Sequence, residues 1–563
     1  MSTQQLPKGT WTGWKSAAED WRSGDKTTRL FARDASLWTS DGEQNWLGWL
    51  DVADRQLSAL DDLVRFQQDV LDRNFQNILL LGMGGSSLCP DVFSKTFGPR
   101  SADGKAFPKL HVVDSTDPRQ VQAAADAVDV ESALVFVSSK SGSTLEPDIL
   151  RRYFFDRFGE NAGDCFVAVT DPGSQLEATA KQDGYWRLFY GEPQIGGRYS
   201  ALSAFGMAPA AAMGLDVGRL LRGAAAMADQ CRKADPEENP GVSLGLFLGW
   251  NANEGRDKVT FLTTPGLRSL GGWLEQLLAE STGKHGKAII PVDLEPVVAV
   301  DVYGKDRVFV SLQLDDEQPD ESFLAALEGA GHPVVRIHCP SRQDLAAEMY
   351  RWEIATAVAG AVMQLNPFDQ PDVEASKIKT KELMRRFEET GKAAEETPFA
   401  TFDGIELYAD EANAKALAGA SSLEGLLAAH FARLGEGDYF GLLAYLPMFA
   451  EIEAQLTDVR AAVLEARHTA TCMGFGPRFL HSTGQAYKGG PNSGVFLQVT
   501  AEAGDDLPVP GRNYTFGLVQ AAQARGDLGV LDERGRRALR VHLPDLSAGL
   551  ARFVEAAVHA AKA

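Results

Sequence analysis

The chain has 563 residues, 44% of them apolar, and a formal net charge of −22. That length exceeds one compact core and predicts two or three domains, and the acidic excess argues against nucleic acid or an anionic membrane as a partner. Five cysteines (Cys89, Cys165, Cys231, Cys339 and Cys472) are odd in number and widely spaced, which excludes a disulfide framework and a thiolate zinc site and fits a reducing cytoplasm.

The start, MSTQQLPKGTW, has no basic stretch leading into an apolar core, so no signal peptide is expected. No run of about 18 apolar residues predicts a membrane span. Residues 1–75 read as a helical arm, helical from about Trp46 to Leu71. Its tryptophans (Trp11, Trp14, Trp21, Trp38, Trp46, Trp49) predict packing on the main body. The pattern then changes. NILLLG (77–82), ALVFVS (133–138) and CFVAVT (165–170) are short, continuous apolar runs, the signature of buried parallel strands. KVTFLT (258–263), RVFVSL (307–312) and PVVRIH (333–338) form a second series, with an amphipathic helix around 268–281. The fold class is therefore α/β, with parallel sheets in two units at 76–233 and 242–385 joined through ADPEENPG (234–241). Residues 386–563 read as a C-terminal extension: 421–434 and 442–466 as helices, 474–494 as a loop or irregular hairpin.

Five segments carry chemistry. In LLLGMGGSSL (79–88) a strand runs into glycines and a helix start, a turn that lets backbone N–H groups approach an anion. Gly82 and Gly84 also fit the first two glycines of a dinucleotide fingerprint, with Asp114 farther on, but Ser87 holds the third position; a ligand-free tight turn is the plain alternative. VFVSSKSGSTLEP (135–147) crowds Ser138, Ser139, Lys140, Ser141, Ser143 and Thr144 at the C-terminal edge of a parallel strand, where α/β sheets bind ligands. That set suits a phosphate dianion; a solvated serine loop with a helix cap is the alternative. IGGRYSALS (195–203) lets glycines bring Arg198 close to a ligand, unless Arg198 serves a structural ion pair. In WLEQLLAESTGKHGK (273–287), Gln276 and Glu280 share one helix face, where a carboxylate could serve as general base; an arbitrary glutamate is more often a surface acid. In NPFDQPDVEASK (366–377), Gln370 and Lys377 lie about two turns apart behind Pro371, which also suits an ordinary helix start.

Taken in order, GMGGSS, SSKSGST, GGRYS, ESTGK and FDQPDVEASK resemble the phosphoglucose isomerase family, with GGRYS and FDQ…VE…K the most diagnostic. DASLW (34–38), WLGWL (46–50) and GPRFLHSTGQAYKGGPNSGVFLQVT (476–500) look like the isomerase half of fused transaldolase–phosphoglucose isomerase proteins, without room for a transaldolase barrel. The resemblance implies two sugar-isomerase α/β domains and a cytoplasmic homodimer with active sites near the subunit boundary. It implies the interconversion of glucose 6-phosphate and fructose 6-phosphate through a cis-enediolate, with no cofactor. By motif, Ser139, Lys140, Ser141 and Thr144 match the phosphate loop, and Gly85 and Ser86 the sugar-binding turn. Gln276 and Gln370 match further substrate-binding positions. Glu280 matches the base, Arg198 the enediolate-stabilising cation and Lys377 a ring-opening group.

Two departures stand out. Asp372 replaces the usual glycine after FDQ-x, and no histidine stands at the ring-opening position beyond 289–308, where Tyr303, Lys305 and Asp306 are nearby. His285 is too near Glu280 in sequence and His332 begins a strand, so that role is unassigned. No H-x-H or H-x-x-x-H pair exists, so no metal is expected. Rival readings are a dual glucose/mannose-phosphate isomerase, a non-catalytic sugar-phosphate sensor and a nicotinamide-dependent dehydrogenase.

Overall fold

The computed structural model describes residues 2–7, 12–102, 104–391 and 395–563. Three sheets organise it. The first is all-parallel, in the order Lys109–Val113, Asn77–Leu81, Ala133–Ser138, Phe166–Thr170, Arg187–Tyr190. Every residue of Ala133–Ser138 is buried, as expected for a strand covered by helices on both faces. The strand order reverses beside Asn77–Leu81, so its C-terminal end and that of Ala133–Ser138 flank the crevice where such sheets bind ligands.

The second sheet runs Val334–Cys339, Arg307–Leu314, Lys258–Thr263, Ile290–Val292 in parallel, with Thr3–Gln5 antiparallel at its edge. The helix Leu345–Met363 has apolar residues all round and is buried almost throughout; it packs along Pro240–Asn253 in the largest core. The α/β class and the two largely parallel, helix-flanked sheets are as the sequence predicts.

The arm differs in detail from one helix. Short 3₁₀ turns at Glu43–Trp46 and Gly48–Asp51 precede helices Val52–Ser58 and Leu60–Asp72, and the first residues add an edge strand to the second sheet. Trp21, Trp38 and Trp49 are buried and Trp14 and Trp46 half-buried; Trp11 lies outside the described residues.

The largest departure is C-terminal. Four parallel strands (Ala470–Phe475, Tyr439–Tyr445, Gly494–Ala501, Arg537–Leu543) and an antiparallel hairpin, Ala400–Phe402 with Ile405–Tyr408, form a six-stranded sheet with its own core. The stretch 442–466 is thus not one helix: the strand Tyr439–Tyr445 ends before Pro447, and a helix starts at Ala450. A short apolar run fits a buried strand as well as a buried helix, and proline prevents a continuous one. The stretch 474–494 is not a loose loop either. It holds a 3₁₀ turn at Arg478–His481 and a helix at Gly484–Gly489, both packed into the interior.

Candidate active site

Two strand ends and one buried helix converge on a cleft of 540 Å³. After Asn77–Leu81, Gly84–Ser86 forms one 3₁₀ turn leading into the helix Leu88–Phe97. Glycine is needed here for space. A Cβ on Gly85 would lie 1.9 Å from the Gly197 carbonyl oxygen, and one on Gly84 (φ +54°) would lie 2.7 Å from Gln276 Nε2. The GMGGSS and GGRYS turns therefore touch backbone to backbone. Ser87 is buried and donates to Asp114 at 3.3 Å, while Asp114 pairs with Arg478 at 3.1 Å. The acid a dinucleotide ribose would need is thus committed elsewhere.

After Ala133–Ser138, the serine-rich loop curls on itself. Ser139 Oγ accepts from Gly142 N at 3.2 Å, and Ser141 Oγ meets Ser143 Oγ at 2.9 Å. Thr144 precedes the helix Leu145–Phe158 without capping it, leaving that N-terminus open toward anions. Lys140 pairs with Asp171, so its charge enters the cleft partly compensated.

The helix Leu270–Thr282 supplies Gln276 and Glu280, both buried. Gln276 Nε2 donates to Glu280 Oε2 at 3.1 Å and to the His481 carbonyl at 2.7 Å; its buried Oε1 has no hydrogen-bond partner. Arg198 is only 2% exposed. It donates from Nε to Ser281 Oγ (2.8 Å), from Nη1 to Gln370 Oε1 (3.0 Å) and from Nη2 to the Pro367 and Asp369 carbonyls (2.7 and 2.9 Å). Its Nη1 stands 3.7 Å from Glu280 Oε2. Lys284, also buried, bonds the Asn366 carbonyl and Asp369. Burial first, then the Arg198 charge, pulls its pKa down to about 7. Aromatic rings brace both turns: Trp49 stacks on Tyr199 with centroids 5.0 Å apart, and Trp38 meets Phe368 edge-on at 5.2 Å.

All the candidate residues line this one cleft: Gly85, Ser86, Ser139, Lys140, Ser141, Thr144, Arg198, Gln276, Glu280, Gln370 and Lys377. Lys377 sits two turns into Pro371–Thr390, paired with Glu374 at 2.8 Å.

The sequence reading missed the C-terminal contribution. His481 lines the cleft, and its Nε2 lies 3.0 Å from Oε1 of the buried Glu146. Gln523 donates to the same oxygen at 2.6 Å and accepts from Thr116 at 2.7 Å. Burial works to raise the Glu146 pKa, but the His481 charge and hydrogen bond outweigh it, so the carboxyl is held below its usual range. Asp372 is explained by the same unit. Gln485 Oε1 accepts from the Asp372 and Val373 N–H groups at 3.0 and 3.1 Å, capping the Pro371–Thr390 helix, and its Nε2 donates to Asp372 Oδ2 at 2.8 Å. Arg534 holds the other carboxylate oxygen. The only available signal was the histidine in FLHSTGQ, hidden in a segment that reads as loop.

Residues 60–293 match the family model described as phosphoglucose isomerase. The glucose-6-phosphate isomerase of Rubrobacter xylanophilus is 30% identical over 354 residues, 54% of this chain and 82% of that protein. The probable glucose-6-phosphate isomerase of Methanococcus maripaludis is 26% identical over 59% of this chain and 82% of its own length. A glucose-6-phosphate isomerase from Chlamydia trachomatis shares the fold with a TM-score of 0.57 at 19% identity, over 69% of this chain and 89% of that one. With a relative this similar matched over most of its length, the chain belongs to the phosphoglucose isomerase family.

Proposed function

We propose that the protein is an aldose–ketose isomerase acting on glucose 6-phosphate and fructose 6-phosphate. One observation carries the reading: a buried carboxylate, a fixed guanidinium and a hydroxyl-rich loop with an open helix N-terminus share a single sugar-sized cleft. The Ser139, Ser141 and Thr144 hydroxyls and the loop amides hold the phosphate, so binding energy remote from the reacting carbons orients them.

In the open-chain sugar, Glu280 takes the C2 proton and returns it to C1, while O2 gives up a proton and O1 gains one. Gln276 Nε2 steadies the carboxylate, and its unpartnered Oε1 receives a sugar hydroxyl. Four of the five N–H donors of Arg198 are occupied within the protein, which leaves one on Nη1. It acts on the enediolate as a preorganised positive charge with that one donor still to offer. His481, hydrogen-bonded to Glu146, and Lys377 move protons to and from the ring and anomeric oxygens during ring opening. No step needs a nucleotide or a metal.

Glu280→Gln tests the reading in a coupled assay with fructose 6-phosphate. The expected result is normal folding and a kcat lower by about 10²–10⁴-fold; near wild-type turnover would remove Glu280 from the mechanism. We further propose sugar-isomerase units at 76–233 and 242–385, a homodimer and a cytoplasmic location, open to limited proteolysis, sedimentation and cell fractionation. No helix among the described residues is long and apolar enough to cross a membrane.

A further inference from the structure

A second chamber of 310 Å³ adjoins the cleft. The two share Ser141, Thr144, Val373, Lys377 and His481 as a common wall, and apart from Glu146, the partner of His481, no role proposed above uses the far side. Its acids are already matched: Glu374 pairs with Lys377 at 2.8 Å, and Glu146 with His481 at 3.0 Å. Lys381, also in the lining, is four residues beyond Lys377 and so on the same helix face. Among the described residues, it makes no ion pair, so it brings to the chamber a positive charge that no lining carboxylate holds. A second observation points the same way. Ser376, 3% exposed, lines the chamber with a buried hydroxyl that has no hydrogen-bond partner. Buried hydroxyls are normally paired, and a ligand oxygen would complete this one.

We propose that this chamber receives a second phosphate, carried on the C1 oxygen of a hexose 6-phosphate. The inference rests on reading the cleft as a hexose-phosphate site with Lys377 and His481 facing the ring and anomeric oxygens. A group on O1 then points past those two side chains toward Lys381 and Ser376. Such a ligand cannot be isomerised, because an esterified O1 cannot become the aldehyde oxygen. The chamber makes a sugar bisphosphate a dead-end competitor.

Fructose 1,6-bisphosphate is the probe. It should inhibit fructose 6-phosphate turnover competitively, and Lys381→Gln should raise its Ki about tenfold. Ser376→Ala should raise the Ki less, and neither change should alter kcat or KM for the monophosphate. An unchanged Ki in Lys381→Gln, or no inhibition of an active enzyme, would overturn the proposal. Calorimetry of bisphosphate binding reads the same difference without turnover. An inactive protein whose bisphosphate affinity still falls in Lys381→Gln would sink the isomerase reading and leave the chamber standing.

Discussion

The serine-rich loop at 138–147 and the C-terminal stretch at 476–490 reach the same cleft and meet at the Glu146–His481 hydrogen bond. They get there differently. The loop is placed by its own strand and helix, through bonds between near neighbours such as Ser139 with Gly142. The C-terminal stretch is placed from outside. Arg478 anchors it to Asp91 on the helix Leu88–Phe97 and to Asp114 just past the strand Lys109–Val113, and Gln276 grips the His481 carbonyl. A locally built loop advertises its chemistry in consecutive residues. A docked segment shows it only after three sheets have assembled.

Substitutions can break this comparison, and the largest effect is expected in the docking. Arg478 is largely buried between two carboxylates; burial works to lower its pKa, but the charges of Asp114 and Asp91 outweigh it and leave it raised. Removing one partner of a buried charge cluster leaves the others uncompensated. Arg478→Ala should therefore cost about 3–5 kcal/mol of unfolding free energy in urea. A loss below about 1 kcal/mol, the range of exposed ion pairs, would mean that the segment is held by something else. Next in size is chemistry. His481→Gln, which keeps a hydrogen-bond donor for the buried Glu146, should keep stability within about 1 kcal/mol and lower kcat about 10²-fold if His481 handles the ring-opening proton. Unchanged turnover would make the segment a structural wall only. The smallest effect is expected in the loop. Thr144→Val should raise KM for fructose 6-phosphate about tenfold, the value of one charge-assisted hydrogen bond, with little change in kcat. A fall in kcat instead would move Thr144 toward the reacting carbons.

The same contrast explains what the sequence could tell. Three strands of each of the first two sheets were legible because buried strands such as ALVFVS and RVFVSL need unbroken apolar runs, whereas Lys109–Val113, Arg187–Tyr190, Ile290–Val292 and Thr3–Gln5, short and at or near the sheet edges, were not. The residues of the cleft were legible because glycine, hydroxyl, arginine and glutamate recur there in a recognisable order. The C-terminal sheet was not. YFGLLAY reads equally well as helix or strand, and only its pairing with Gly494–Ala501 and Ala470–Phe475 decides. His481 was hidden because a histidine in a Gly/Ser-rich stretch has no local mark of function. Its partner Glu146 lies 335 residues away. Asp372 looked like a defect in a motif for the same reason: Gln485 and Arg534, which hold it, belong to that unrecognised unit.

A structure of the protein with a non-isomerisable open-chain hexose-phosphate analogue tests the central claim most directly. The account predicts the phosphate on Ser139, Ser141 and Thr144, with a Glu280 carboxylate oxygen about 3–3.5 Å from the atoms equivalent to C1 and C2. A ligand bound the other way round, or Glu280 more than about 5 Å from both carbons, well outside that reach, would contradict it.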